Sequence, residues 1–137
     1  MPGRAFLDAN VLVYAQDASA PDKQRRSRDI IAEHAESADG VISTQVMQEF
    51  FVAVTRKLGV SPLAAKGVLK TFSAFEIVQV STTLIHEAVD CSILNQLSFW
   101  DSLILAAAAS AGCSTVFSED LNPRQDILGV KVQNPFA

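Results

Sequence analysis

Asp8 closes the hydrophobic run RAFLD at residues 4 to 8. A carboxylate in that position costs free energy unless a cation or several hydrogen-bond donors meet it. The surrounding stretch AFLDANVLVYA offers neither, so the partner must come from elsewhere in the chain or from outside it. Three other acids stand beside apolar surfaces. Asp120 lies in the turn just past STVF (114–117). Glu49 falls at the margin of the helical stripe Val46, Met47, Phe50, Phe51, Val54 and Leu58, roughly 60° from Val46 at about 100° per residue. Asp101 opens DSLILAAAASAG, a segment apolar on nearly all sides, where the helix dipole favours an anion. Taken singly, Asp101 reads as a helix cap, Asp120 as a turn former and Glu49 as a solvated boundary residue. Directed at one place, the four carboxylates would repel each other and destabilise the fold without cations. A divalent metal site is the economical reading, and oxygen-only ligands favour magnesium or manganese over zinc.

The elements that would bring these acids together alternate along the chain. Strands are expected at 4–8, 41–43, 76–80, 114–117 and near 130–133, giving a sheet of four to five short strands. Helices are expected from about Asn10 to Ala15 and from Pro21, after a Ser19 cap, to about Ser37. Further helices cover 45–58 behind a Thr44 cap and ending at Gly59, 61–72, 83–97, and 101–112 after a loop SFW and closed by Gly112. SEDLNPRQD (118–126) reads as a polar turn. Strands separated by helices need crossovers, and crossovers imply a parallel sheet covered on both faces. The expected fold is therefore a three-layer α/β/α domain, single over residues 1–137. In such sheets sites form beyond the carboxyl ends of the strands, where Asp8 and Asp120 both fall and where the starts of the Glu49 and Asp101 helices can point.

Composition is consistent with this. The chain has 137 residues, 49% of them hydrophobic, enough for one core without a disulfide staple. Its longest apolar stretch, Leu103 to Ala109, is far too short to span a bilayer. The N-terminal segment is interrupted by Asp8 and Asn10 and lacks a signal-peptide layout, so a cytoplasmic protein is expected. Cys91 and Cys113 have no metal-ligand spacing and read as buried thiols, and the isolated His34 and His86 argue against zinc. The net charge of −4 at first disfavours a nucleic-acid partner. If four acids are pooled on bound cations, however, eleven acidic residues remain against eleven basic ones.

The ordered set FLDANVLVY, STQVMQEFF, SFWDSLILAAA and VFSEDL resembles the PIN-domain nucleases, and within them the VapC-like ribonuclease toxins of toxin-antitoxin pairs. The resemblance spans essentially the whole chain and is specific in combination rather than in any one piece. It implies that Asp8, Glu49, Asp101 and Asp120 are the metal-binding acids, with Asn10 and Ser118 matching the family's polar positions beside the first and last of them. Asn10 and Ser118 then hold the carboxylates in place. Glu119 is extra and reads as a solvated turn residue, with a fifth ligand beside Asp120 the alternative. The resemblance further implies hydrolysis of single-stranded or looped RNA with a 5′-phosphate left at the cut, one or two Mg²⁺ or Mn²⁺ ions, a homodimer, and a cognate antitoxin lying over the groove.

Phosphodiester hydrolysis by such ions needs no nucleophilic side chain, in keeping with the lack of a suitably placed histidine. Arg56, seven residues after Glu49 and about 10 Å along the helix axis, is positioned to hold a flanking phosphate of the RNA, or else to complement the helix C-terminus with Lys57. KQRRSR (23–28) reads as a solvated face with Asp22–Arg26 and Arg25–Asp29 pairs. Trp100 and Phe99 read as core packing, with base stacking at the site mouth the alternative. Two other functions compete: a catalytically silent PIN-like binding module, whose signature would be a missing acid, and an aspartate-nucleophile phosphatase, which needs a second acid where Asn10 stands.

Overall fold

The computed structural model describes residues 3–123 and 126–137. Apolar β-forming residues give β1 (Arg4–Leu7), β2 (Gly40–Ser43), β3 (Glu76–Val78), β4 (Cys113–Phe117), β5 (Asp126–Ile127) and β6 (Val130–Gln133). They form one six-stranded sheet in the order β3-β2-β1-β4-β6-β5. Every neighbouring pair is parallel except β5 with β6. The sequence reading expected four to five strands; the extra one is the two-residue β5, which forms a hairpin with β6 through Leu128 and Gly129, both with positive φ. So short a strand carries no alternation to read. Of the turn expected over 118–126, Arg124 and Gln125 lie outside the described residues.

Among the described residues six α-helices flank the sheet: α1 (Ala9–Tyr14), α2 (Pro21–Glu36), α3 (Thr44–Arg56), α4 (Pro62–Thr71), α5 (Thr82–Asn95) and α6 (Phe99–Ser110). Their apolar faces meet in one core. Val46, Phe50 and Val54 of α3 are fully buried, as the stripe predicts, and Phe50 stands edge-on to Phe72 at 5.0 Å between ring centroids. Helix α6 is buried along its length from Ser102 to Ala108. Gly59 and Gly112 follow α3 and α6 with φ of +68° and +72°, a conformation that glycine adopts without a Cβ penalty.

The helix starts differ from expectation in an instructive way. Ser43, not Thr44, caps α3, accepting from Val46 N, while Thr44 Oγ1 instead accepts from Val80 N at 3.2 Å and fastens the chain beyond β3. Helix α2 has no side-chain cap: Ala20 holds that position, and Ser19 bonds Asp17. SFW is not a loop. Ser98 caps α6 by accepting from Asp101 N, so the helix begins at Phe99 and Asp101 is its third residue.

Two substitutions check this packing. Phe50→Ala should cost about 3–5 kcal/mol by leaving a cavity against Phe72. Gly67→Ala, in the exposed interior of α4 with nothing within 4 Å of an added Cβ, should gain about 0.5–1 kcal/mol. Urea unfolding at constant m-value measures both.

Candidate active site at the centre of the sheet

Strand β1 lies between β2 and β4, and Leu7 is in register with Phe117. The chain leaves β1 toward β2 on one side and returns as β4 on the other, so the carboxyl ends of β1 and β4 flank the crevice where α/β sheets bind ligands. Asp8 follows β1 directly and donates its backbone N–H to the Phe117 carbonyl at 3.0 Å. Ser118 follows β4.

Asp8 is 6% exposed. Its Oδ1 accepts from Ala9 N at 2.7 Å, capping α1, and its Oδ2 accepts from the Ser118 hydroxyl at 2.7 Å and from Asn10 Nδ2 at 3.3 Å. The same Asn10 amide reaches Ser118 Oγ and Asp120 Oδ2, each at 3.2 Å, while its Oδ1 accepts from Glu119 N. Ser118 Oγ in turn accepts from the backbone N–H groups of Asp120 and Leu121. Asn10 and Ser118 thus tie Asp8 to Asp120 across a sequence separation of more than a hundred residues. An amide engaged in this way cannot supply the second acid that an aspartate-nucleophile phosphatase requires.

Burial pushes the Asp8 carboxyl above its usual range; the Ser118 and Ala9 bonds pull it back, and the charges of Asp120 and Asp101 push it up again. Glu49 is open to the groove at the level of the whole residue, yet the protein around its carboxyl desolvates it. That effect raises it, the Asp8 charge adds to the rise, the Gln45 side chain opposes it, and Asp120 and Asp101 add further. The four acids therefore share one electrostatic neighbourhood. Among the described residues, no lysine, arginine or histidine is ion-paired with any of them.

This all-oxygen, uncompensated donor set suits a hard divalent cation. It is not a closed cage: among the described residues, no three His, Cys, Asp or Glu side chains converge closely enough to hold an ion as they lie. An ion here would be held by one or two carboxylates directly and by the others through water, as magnesium commonly is.

An open groove of about 980 Å³ passes this cluster, lined by Asn10, Glu49 and Asp120 and, further along α3, by Arg56 and Lys57. Gln45, Gln48, Val52 and Trp100 also face it. Arg56 shares the groove with Glu49, as its spacing predicts. Trp100 is not core: it is 65% exposed, and Phe99 alone of the pair packs inward.

The basic run on α2 is exposed at Arg25, Arg26 and Arg28, as a solvated face predicts, but its partners differ from the expected Asp22–Arg26 and Arg25–Asp29 pairs. Lys23 pairs with Glu119 and lies over the Tyr14 ring, 4.7 Å from its centroid. Arg26 donates to Pro135 O and Arg28 to Ala15 O, and only Arg25 pairs locally, with Asp22. Glu119 is thus an anchored residue rather than a solvated one, and the Lys23 hydrogen bond draws its carboxyl below the usual range. No local pattern betrays a pair 96 positions apart.

Asp8 supplies a pH test. Its folded carboxyl lies above the ordinary 3.8, so the ionised form costs stability above the raised value, and the cost disappears once the pH falls below 3.8. In EDTA, Asp8→Asn should melt a few degrees above the parent at neutral pH, with the gap closing as pH is lowered. Thermal melts across that range check it; a variant melting below the parent at neutral pH would show that the charge is already compensated.

The PIN domain family model matches residues 5–125. No curated protein sequence matches the chain. The fold is similar to that of Mycobacterium tuberculosis VapC20, a toxin that cleaves the sarcin-ricin loop, with 15% identity, a TM-score of 0.70, and coverage of 85% of this chain and 89% of that one. It is similar also to a toxin-antitoxin complex from Klebsiella pneumoniae, with 19% identity, a TM-score of 0.71, and coverage of 96% and 97%. DNA-bound VapBC from Salmonella typhimurium matches with 18% identity, a TM-score of 0.69, and coverage of 97% and 98%. With Asp8 and Asp120 beyond the carboxyl ends of β1 and β4 and the family model matching residues 5–125, most of its length, the chain belongs to the PIN-domain family.

Proposed function

We propose that this protein is a Mg²⁺- or Mn²⁺-dependent endoribonuclease, the toxin of a toxin-antitoxin pair acting in the cytoplasm. The observation that carries the reading is the buried Asp8 carboxylate, which shares its neighbourhood with Asp120, Asp101 and Glu49 and with no ion-paired cation among the described residues. A fold that keeps such repulsion next to an open groove is built to receive positive charge. All four acids are present, which argues against a silent binding module.

Asp8, Asp101 and Asp120 would hold the metal, directly or through water, and Glu49 would bind it or orient a water. When bound, one or two such ions supply hydroxide from coordinated water and stabilise the leaving oxygen. Asn10 and Ser118 keep the Asp8 and Asp120 carboxylates in place, since each bonds both segments. The Asp101 carboxylate accepts no hydrogen bond from a described residue, and its backbone is fixed by the Ser98 cap. Arg56 holds a phosphate flanking the cut, a turn or two along α3 from Glu49. An antitoxin partner is supported by the toxin-antitoxin complexes among the similar folds and by apolar groove residues such as Val13, Val52 and Leu58.

The purified chain should cut single-stranded RNA in Mg²⁺ or Mn²⁺, stop on EDTA, and leave 5′-phosphate ends. Asp8→Asn should abolish cutting, and Asn10→Ala should slow it about 10–100-fold. End-sequencing of cleaved RNA reads both; Asp8→Asn cutting at the parent rate would overturn the assignment.

Self-association is the second part of the proposal. Ile85, Val89 and Ile93 recur every four residues on α5 and are 40%, 39% and 71% exposed, with Leu94 beside them at 81%. Such a stripe on an otherwise paired helix suits a second copy of the chain. Light scattering should give a dimer, and Ile93→Glu should convert it to a folded monomer.

A further inference from the structure

We infer that Trp100 is a nucleobase platform, stacking a base of the strand whose phosphate lies at the carboxylates. This inference rests on the nuclease reading of the same site and adds to it the residue that grips the base.

Trp100 is the one tryptophan of the chain. It immediately precedes Asp101, lines the groove with Glu49 and Asp120, and is 65% exposed. Leaving so large an aromatic in water forgoes its burial free energy, and nothing in the core requires it there. Its placement is nonetheless fixed from three sides. Ser98 caps the helix turn that carries it. Phe99, packed against the core, meets its ring nearly perpendicularly, at 77° and 5.1 Å. Gln45, buried on α3 one turn before Glu49, donates from Nε2 to the Trp100 carbonyl at 3.4 Å. The backbone at Trp100 is thus fixed beside the acids, and the indole rests on Phe99 with most of its surface open, an arrangement that suits a stacking surface.

Charge selects the occupant. The groove carries the acid cluster at one end and the exposed Arg56 and Lys57 at the other, neither of which makes an ion pair with a described residue. A ligand that offers phosphates to the cations and to a metal, and flat bases to the indole, satisfies all three. Single-stranded nucleic acid does so, because its bases are unpaired and can turn toward an aromatic surface.

The sole tryptophan makes the test direct. Indole emission of the full-length Asp8→Asn chain should be quenched saturably by a short oligouridylate and not by an abasic ribose-phosphate strand of equal length. In the parent background, Trp100→Ala should raise KM for RNA cleavage about five- to a hundredfold. Trp100→Phe should restore most of that loss, and Trp100→Leu, apolar but not aromatic, should not. Because the side chain is exposed, the melting temperature of each variant should match the parent.

Emission that stays constant while anisotropy reports bound oligouridylate would overturn the inference. So would Trp100→Ala cutting with the parent KM, including the case in which that variant loses only a protein partner. In that second case the parent still cuts, so the nuclease reading stands while the platform falls. If the parent binds with quenching yet does not cut RNA in Mg²⁺ or Mn²⁺, the platform stands and the nuclease reading falls. A parent that neither binds nor cuts overturns both.

Discussion

A single carboxylate buried at the end of the central strand sets the terms for the rest of this molecule. Asp8 accepts hydrogen bonds from Ala9, Asn10 and Ser118 at that depth, and burial still leaves its carboxyl raised. Each donor does a second job in the fold. Ala9 opens α1, Ser118 shapes the turn after β4, and Asn10 links the two loops. The groups that tolerate the charge are therefore the groups that assemble the site, and the parallel pairing of β1 with β4 brings them together.

The same constraint explains why the site is polar but open. A fully satisfied network around Asp8, with a lysine or arginine in contact, would be more stable and would also be neutral. Here the neighbours that complete the electrostatics are Asp120, Asp101 and Glu49, all of the same sign. Stability is forgone at one edge of a core that is otherwise tightly filled, with Phe6, Leu7, Val41, Ile42 and Val116 all without exposed surface. Strain of this kind, compensated elsewhere, is what distinguishes a functional edge from a structural one.

Much of this was legible in the sequence because it depends on local pattern. The alternation of short apolar strands with periodic helices yields the sheet and its crossovers, and the rule that ligands gather at carboxyl ends of strands picks out the edge that Asp8 and Asp120 follow. What escaped depended on side chains choosing among rival partners. The sequence reading put the α3 cap at Thr44, but Ser43 takes that place while Thr44 turns to Val80 N. The start of α6 moved by two residues because Ser98 offers a cap that SFW as a loop concealed, and that shift put Trp100 on a helix turn facing the groove rather than in the core. Lys23 and Glu119 could not be matched at all, since each sits among nearer residues of opposite charge.

That last pair has a reach beyond its own two residues. Lys23 on α2 touches Tyr14 at the end of α1 and Glu119 beside Asp120, and lies 5.5 Å from the ring of Phe136, which itself stands edge-on to Tyr14. Arg26 adds a bond to Pro135. The end of α1, the start of α2 and two segments remote from them, the turn after β4 and the C-terminal stretch, meet around one ammonium group. The C-terminal segment and the turn that carries Asp120 are joined through this one ammonium group, so the packing of the tail bears on the edge of the groove.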